Sequence, residues 1–206
     1  MILDRWSEDD WRTLSLLVRD CKKVVQIGTF LGASAECILV DSHCHLTTID
    51  HYGGMPHDIW QDTHKSANTF TAGEAIMVTL GRLDRFYSAG RMTLIAGESL
   101  QVASTFADES IDLVFLDGAH DYESIKADIL AWAPKVQKDG KISGHDLDRI
   151  AFVVKQEEID KKANKDKCPD THLHYGVAKA VTELFTHIKL AETPSTVWWA
   201  EKAWLK

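Results

Sequence analysis

The sequence predicts an α/β domain of Rossmann-like type, a mostly parallel sheet with helices on both faces. Three observations predict it. Short apolar runs of strand type alternate with segments of helical period five times along the chain, and that alternation folds as βαβ units around a parallel sheet. A glycine-bearing turn, Gly28 to Gly32, follows the first run and opens a helix. Two further apolar runs, joined through Thr193-Pro-Ser195, close the chain as a hairpin and imply one antiparallel edge strand. At 206 residues the chain fits one domain, 1–206.

The elements follow in order. Ser7-Glu-Asp-Asp10 has the form of a capping box, and Trp11, Leu14, Val18 and Cys21 recur at helical spacing, so an N-terminal helix is expected within 1–22. Val24 to Ile27 is a first strand, Ala33 to Val40 a helix, and Leu46 to Asp50 a second strand ending in an acid. Residues 51–70 are polar, with Gly53-Gly54 and Pro56, and are expected as a lid loop. Ile76, Leu80, Leu83 and Tyr87 mark a helix over Thr71 to Tyr87. A third strand over Met92 to Ala96 and a helix over Ser99 to Ala107 come next. Ile111 to Leu116 is the clearest strand, and Tyr122, Ile125, Ile129, Ala133 and Val136 mark the following helix. Lys138-Asp-Gly140 turns into a fifth strand, Lys141 to Gly144. Residues 148–175 hold a charged insertion, read as a second lid loop, before a helix bearing Val177, Val181 and Leu184. Ile188 to Glu192 and Thr196 to Ala200 are the closing strands.

Composition narrows the class. Apolar residues make up 45% and charged residues 26%, a globular balance. No apolar run is long enough to span a bilayer, and the N-terminus lacks the basic flank and apolar stretch of a secretory signal. The cysteines Cys21, Cys37, Cys44 and Cys168 form no paired framework and read as reduced thiols, so a cytoplasmic setting is expected. The formal charge is −8, and the basic stretch Lys161 to Lys167 is diluted by Asp166, which argues against nucleic acid as a partner. A small-molecule acceptor, no membrane and a homo-oligomer are the expected partner pattern.

Ligands of such sheets bind at the carboxyl ends of the strands. The first strand runs into Gly28-Thr-Phe-Leu-Gly32-Ala-Ser34, where glycines allow close backbone approach and the next helix offers N–H groups to an anion. Dinucleotide turns read G-x-G-x-x-G, whereas this one reads G-x-x-x-G. The tighter turn suits a carboxylate better than a pyrophosphate, which favours S-adenosylmethionine (SAM) over NAD. Asp50, 22 residues after Gly28, ends the second strand where a carboxylate can accept both ribose hydroxyls.

Val25-Gln-Ile-Gly-Thr-Phe-Leu-Gly-Ala-Ser34, Leu113-Val-Phe-Leu-Asp-Gly-Ala-His-Asp-Tyr-Glu123 and Gly140-Lys-Ile-Ser-Gly-His-Asp146 together resemble the small-molecule O-methyltransferase group of class I SAM-dependent methyltransferases, closest to methyltransferase domain 24. Gly176 to Phe185 and Thr196 to Ala200 resemble that group's last helix and final strand, so the likeness runs through residues 20 to 202 in order. The resemblance implies seven strands in the order 3-2-1-4-5-7-6. It places Gly28, Thr29, Gly32 and Ser34 at the methionine end of SAM, Asp50 on the ribose and His51 against the adenosine. Glu98 and Ser99 would meet the adenine edge, and Asp117 would border the cofactor. Gln26 departs from the acid usual at its position, keeping an acceptor but no charge.

Methyl transfer to a hydroxyl needs an aligned nucleophile and loss of its proton. Asp117 ends the fourth strand and His145 and Asp146 the fifth, so the three can converge. In metal-dependent O-methyltransferases these positions carry ligands, and a divalent cation, Mg²⁺ or Mn²⁺, is expected on Asp117, His145 and Asp146. His120 is the available general base, with His145 and Asp146 also expected in catalysis; Ala119 stands where related sugar enzymes often carry an acid. Trp60, His172, His174 and Tyr175 are expected to line the acceptor pocket. The histidines between His43 and His64 lack the spacing of a helical zinc site and read as a polar loop. A non-catalytic SAM-binding module and a NAD-dependent oxidoreductase are the rival functions.

Overall fold

The structure is a computed structural model that describes residues 6–53, 71–165, 173–192 and 194–206. Of the first expected lid only residues 51–53 lie among them; Trp60, His57, His64, Cys168 and His172 fall outside the described residues.

Seven strands form one sheet in the order β3-β2-β1-β4-β5-β7-β6, as the resemblance implied. They are β1 (Lys23–Ile27), β2 (His45–Asp50), β3 (Met92–Ala96), β4 (Ile111–Leu116), β5 (Val136–Gly144), β6 (Lys189–Leu190) and β7 (Trp198–Glu201). β1 to β5 pair in parallel, and β7 inserts antiparallel between β5 and β6. The helices are α1 (Glu8–Val18), α2 (Ala33–Val40), α3 (Ala72–Ser88), α4 (Ser99–Ala103), α5 (Tyr122–Trp132), α6 (Gln156–Lys162) and α7 (Tyr175–Leu184).

The pleat sorts the strands' side chains onto two cores. Val24 of β1 and Leu113 and Phe115 of β4 pack with Leu14 of α1, Ile38 of α2 and Leu83 of α3. Their neighbours Val25, Val114 and Leu116 pack on the other face with Ile129 and Trp132 of α5 and Val177 and Val181 of α7. Burying Leu14 fully contributes about 1.5–3 kcal/mol, and it seats α1 beside the sheet. The Ser7–Asp10 capping box forms as read: the Ser7 hydroxyl accepts from the Asp10 N–H at 3.0 Å.

Several boundaries differ from the sequence reading. α4 stops at Ala103 rather than Ala107, because the chain tightens into 3₁₀-type bonds such as Phe106 N–H to Ala103 C=O. β5 begins at Val136; its pairing with β4 jumps from Ile111–Val136 to Leu113–Lys141, so the expected turn at Lys138–Gly140 is an outward irregularity within the strand. The insertion at 148–175 is more than a loop. It holds a 3₁₀ turn, Arg149–Phe152, and α6, which buries Ile159 against Tyr175. The closing strands are shorter than read.

Candidate active site

The Gly28–Gly32 turn lies at the carboxyl end of β1. Gly28, Phe30 and Gly32 all have positive φ, at 83°, 46° and 86°. A Cβ on Gly28 would stand 2.1 Å from the Asp117 carbonyl oxygen. The glycine is therefore needed first for the close approach of the β1 and β4 ends, where the Asp117 N–H bonds the Ile27 carbonyl at 2.8 Å. Gly32 is the N-cap of α2 and supplies no side-chain cap, so the helix presents its first-turn N–H groups at this end of the sheet.

Gln26 is fully buried beneath the turn. Its Nε2 donates to the Gly28 carbonyl at 2.8 Å and to the Ser34 hydroxyl at 2.7 Å. The carbonyl partner fixes which end of the amide is nitrogen, and it leaves Oε1 buried without a hydrogen-bond partner among the described residues. Thr29 turns its hydroxyl inward onto Thr48. Asp50 is engaged by the fold itself: Oδ2 accepts from the Thr29 and Phe30 N–H groups at 2.8 and 2.9 Å, and Oδ1 from the Tyr52 N–H at 2.7 Å. The acid that ends β2 thus holds the turn after β1.

Around the expected adenine edge, His51 is exposed and accepts from the Gly53 N–H through Nδ1. Glu98 is exposed at the N-cap of α4. The Ser99 hydroxyl is engaged inside the fold, donating to Asp128 Oδ1 at 2.5 Å and accepting from Trp132 Nε1 at 2.9 Å. Its single proton is thus committed, and any hydrogen bond donated to an adenine from Ser99 must come from the backbone. Asp128 is buried, and burial pushes its carboxyl up to about 6 against the lowering bond from Ser99, with Asp121 adding to the rise.

The chemical end forms at the ends of β4 and β5. Asp117, His145 and Asp146 converge with ligand atoms within 4.8 Å of one another. Asp117 does not cap α5; Asp121 does, accepting from the Ser124 N–H. His145 Nδ1 lies 3.6 Å from Asp117 Oδ1 and 3.3 Å from Asp146 Oδ1. Its Nε2 meets the Thr196 hydroxyl at 3.0 Å and Asp10 Oδ2 at 3.5 Å, and Trp6 stacks on its ring at a centroid distance of 4.8 Å. Burial opposes charge on this imidazole, yet Asp146, Asp10 and Asp117 outweigh it and hold its pKa well above the ordinary histidine value. The three carboxylates therefore favour the protonated form of His145. The ring also stands between Asp117 and Asp146, its Nδ1 facing both carboxylates. Asp146 is lowered well below the usual carboxylate range: burial opposes this, and His145 and His120 outweigh the burial.

Asp146 has φ 63°, a strained setting for a residue with a side chain. It aims the carboxylate at a second group: His120 Nε2 at 2.9 Å from Oδ2 and His174 Nε2 at 3.7 Å from Oδ1. Tyr175, expected in the pocket wall, is buried in the insertion's small core instead. Sequence reasoning missed Trp6, Asp10 and Thr196 altogether. Asp10 carried only a capping signal, and nothing local marks a residue whose partners come from the far end of the chain.

Residues 25–147, more than half of the chain, match the family described as methyltransferase domain. Among solved structures, the chain is similar to a proposed O-methyltransferase from Klebsiella pneumoniae (TM-score 0.63, 18% identity, covering 98% of this chain and 82% of that one). It is similar also to an S-adenosylhomocysteine-bound methyltransferase from Podospora anserina (TM-score 0.62, 13% identity, 94% and 78%) and to a SAM-dependent O-methyltransferase from Thermotoga maritima (TM-score 0.57, 12% identity, 96% and 66%). At these identities the structures show a shared fold. No curated protein matches the sequence. Among the described residues no helix is long and apolar enough to cross a membrane. The chain belongs to the methyltransferase domain family of class I SAM-dependent methyltransferases.

Proposed function

We propose that the protein transfers the methyl group of SAM to a hydroxyl oxygen of a small-molecule acceptor. The observation that carries this reading is the convergence of Asp117, His120, His145, Asp146 and His174 beside the glycine turn, where Asp117 Oδ2 comes within 3.5 Å of the Ser34 hydroxyl. The turn's residues fit the cofactor: the uncapped start of α2 and Ser34 suit its carboxylate, and the orphaned Gln26 Oε1 suits its ammonium. Asp50 keeps one lone-pair site, on Oδ1, for a ribose hydroxyl, while Glu98 and the Ser99 backbone border the adenine. When bound, SAM supplies the electrophilic methyl.

The protein's part is to orient the acceptor and remove its proton. His145 Nδ1 orients the Asp117 and Asp146 carboxylates, and the His120–Asp146 pair is the proton-accepting end. A divalent cation on Asp117, His145 and Asp146, Mg²⁺ or Mn²⁺, would lower the hydroxyl pKa, in competition with the protein partners His145 already has at both ring nitrogens.

Calorimetric titration tests the reading. S-adenosylhomocysteine is expected to bind and NAD to give no heat, with Ser34→Ala weakening S-adenosylhomocysteine by roughly three- to tenfold for one lost hydrogen bond. Incubation with SAM and a panel of catechols and sugars is expected to release S-adenosylhomocysteine. Absence of S-adenosylhomocysteine binding by the unaltered protein would overturn the assignment.

A further inference from the structure

We infer that His120, Asp146 and His174 form a transition-metal site, distinct from the set read in the sequence, with His174 contributed by the insertion. This deepens the proposed function and rests on it for its role in catalysis: with an ion bound, His120 and Asp146 would serve as ligands, and the ion rather than His120 would lower the pKa of the acceptor hydroxyl. The three residues offer ligand atoms within 4.8 Å of one another, and all are partly buried. The imidazoles face each other with centroids 4.4 Å apart, and both turn Nε2 toward the one carboxylate. A metal ion with nitrogen and oxygen ligands at about 2.0–2.2 Å holds its donors some 3 Å apart, so side-chain adjustment alone closes the group.

The backbone also fixes this placement. A Cβ on Gly176 would lie 2.3 Å from the His120 carbonyl oxygen and 2.5 Å from the Tyr122 nitrogen, so the glycine lets the start of α7 seat directly on the His120 turn. The Tyr122 N–H binds the Ala163 carbonyl at 2.9 Å, tying the end of the insertion to the same turn. Buried Tyr175 anchors the residue next to His174. Three segments distant in sequence are thus locked where their donors meet, and Asp146 reaches the group through its positive φ. Two imidazoles and one carboxylate select Mn²⁺, Fe²⁺, Co²⁺ or Zn²⁺ over Mg²⁺, and leave coordination positions open for an acceptor hydroxyl. In the rival set His145 already faces Thr196 and Asp10 through Nε2 and Asp146 and Asp117 through Nδ1.

Titration of the purified protein with Co²⁺, followed by visible absorption and calorimetry, tests the site without any turnover. One equivalent of Co²⁺ is expected to bind with a ligand-field band, and His174→Ala and His174→Gln are each expected to weaken it at least tenfold. Asp117→Asn is expected to change it less than threefold. Circular dichroism melting of each variant separates loss of a ligand from loss of fold; His174→Gln keeps the bulk of the side chain. Unchanged Co²⁺ affinity in folded His174 variants, or loss in Asp117→Asn alone, overturns the site, as does no binding at millimolar Co²⁺. S-adenosylhomocysteine titration of the same samples keeps the two readings apart: Co²⁺ bound without S-adenosylhomocysteine defeats the methyltransferase assignment and leaves the metal site standing.

Discussion

Asp10 serves two masters through one carboxylate. Oδ2 accepts from the Ser7 hydroxyl at 2.5 Å inside the capping box, while Oδ1 accepts from the Ser195 hydroxyl and the Thr196 N–H, both at 2.9 Å. Burial alone would raise its pKa; His145, Ser7 and Thr196 together outweigh that and hold it below the usual carboxylate range. Asp10→Ala leaves buried donors without an acceptor, and a loss of about 2–4 kcal/mol is expected in urea unfolding. Asp128 gives the opposite sign. Its folded value of about 6 stands above the ordinary 3.8, so the folded state holds the proton more tightly. The sign of the linkage then makes stability fall as pH rises from about 4 to 6. Asp128→Asn keeps an acceptor for Ser99 and removes the buried charge, and is expected to stabilise the protein at pH 7.5 by about 1–3 kcal/mol while flattening its pH dependence between 4 and 6. Denaturation at pH 4.5 and 7.5 decides it; an equal effect at both pH values would refute the buried charge. Neither environment is legible in sequence. Asp10 showed its capping role because Ser7 is three residues away, whereas its second set of partners and the burial of Asp128 exist only once the chain has folded.

At the scale of elements, the β1–α2 turn was read correctly in place and only partly in cause. The glycine spacing suggested room for a ligand carboxylate, and the structure adds the meeting of two strand ends, with Gly28 against the Asp117 backbone. Gly28→Ala combines positive φ with a backbone clash and is expected to cost at least about 3 kcal/mol, read as a lowered urea midpoint even without ligand. A variant of unchanged stability would show that the β4 end yields easily, and that the glycine is kept for the cofactor alone. Amphipathic helices α1, α3, α5 and α7 were legible because apolar residues recur at their period over several turns. The start of β5 was not. Lys138-Asp-Gly140 has turn chemistry, yet Val136 on its near side already pairs with Ile111. The insertion hid its short helix for a related reason: α6 has few apolar residues, and Ile159 finds its partner in Tyr175 beyond the local sequence.

For the molecule as a whole, strand alternation was enough to give the parallel sheet, but the order of the strands came from the resemblance and not from periodicity, which carries no information about neighbours. The convergence of Asp117, His145 and Asp146 at the strand ends was legible for the same reason the sheet was: ligands of such folds gather at the carboxyl ends of the strands. The pairing of His120 with His174 was not, since it depends on how the insertion folds back. The insertion of β7 beside β5 has a consequence in time. During synthesis the N-terminal strands emerge first, and domains fold as their segments appear. β5 stays an open sheet edge until Trp198–Glu201 leave the ribosome, and Asp10 waits for Ser195 and Thr196 just before them. A nascent chain therefore carries the glycine turn long before it can align His145, because residues 195–201, which complete the surroundings of that ring, are made well after it.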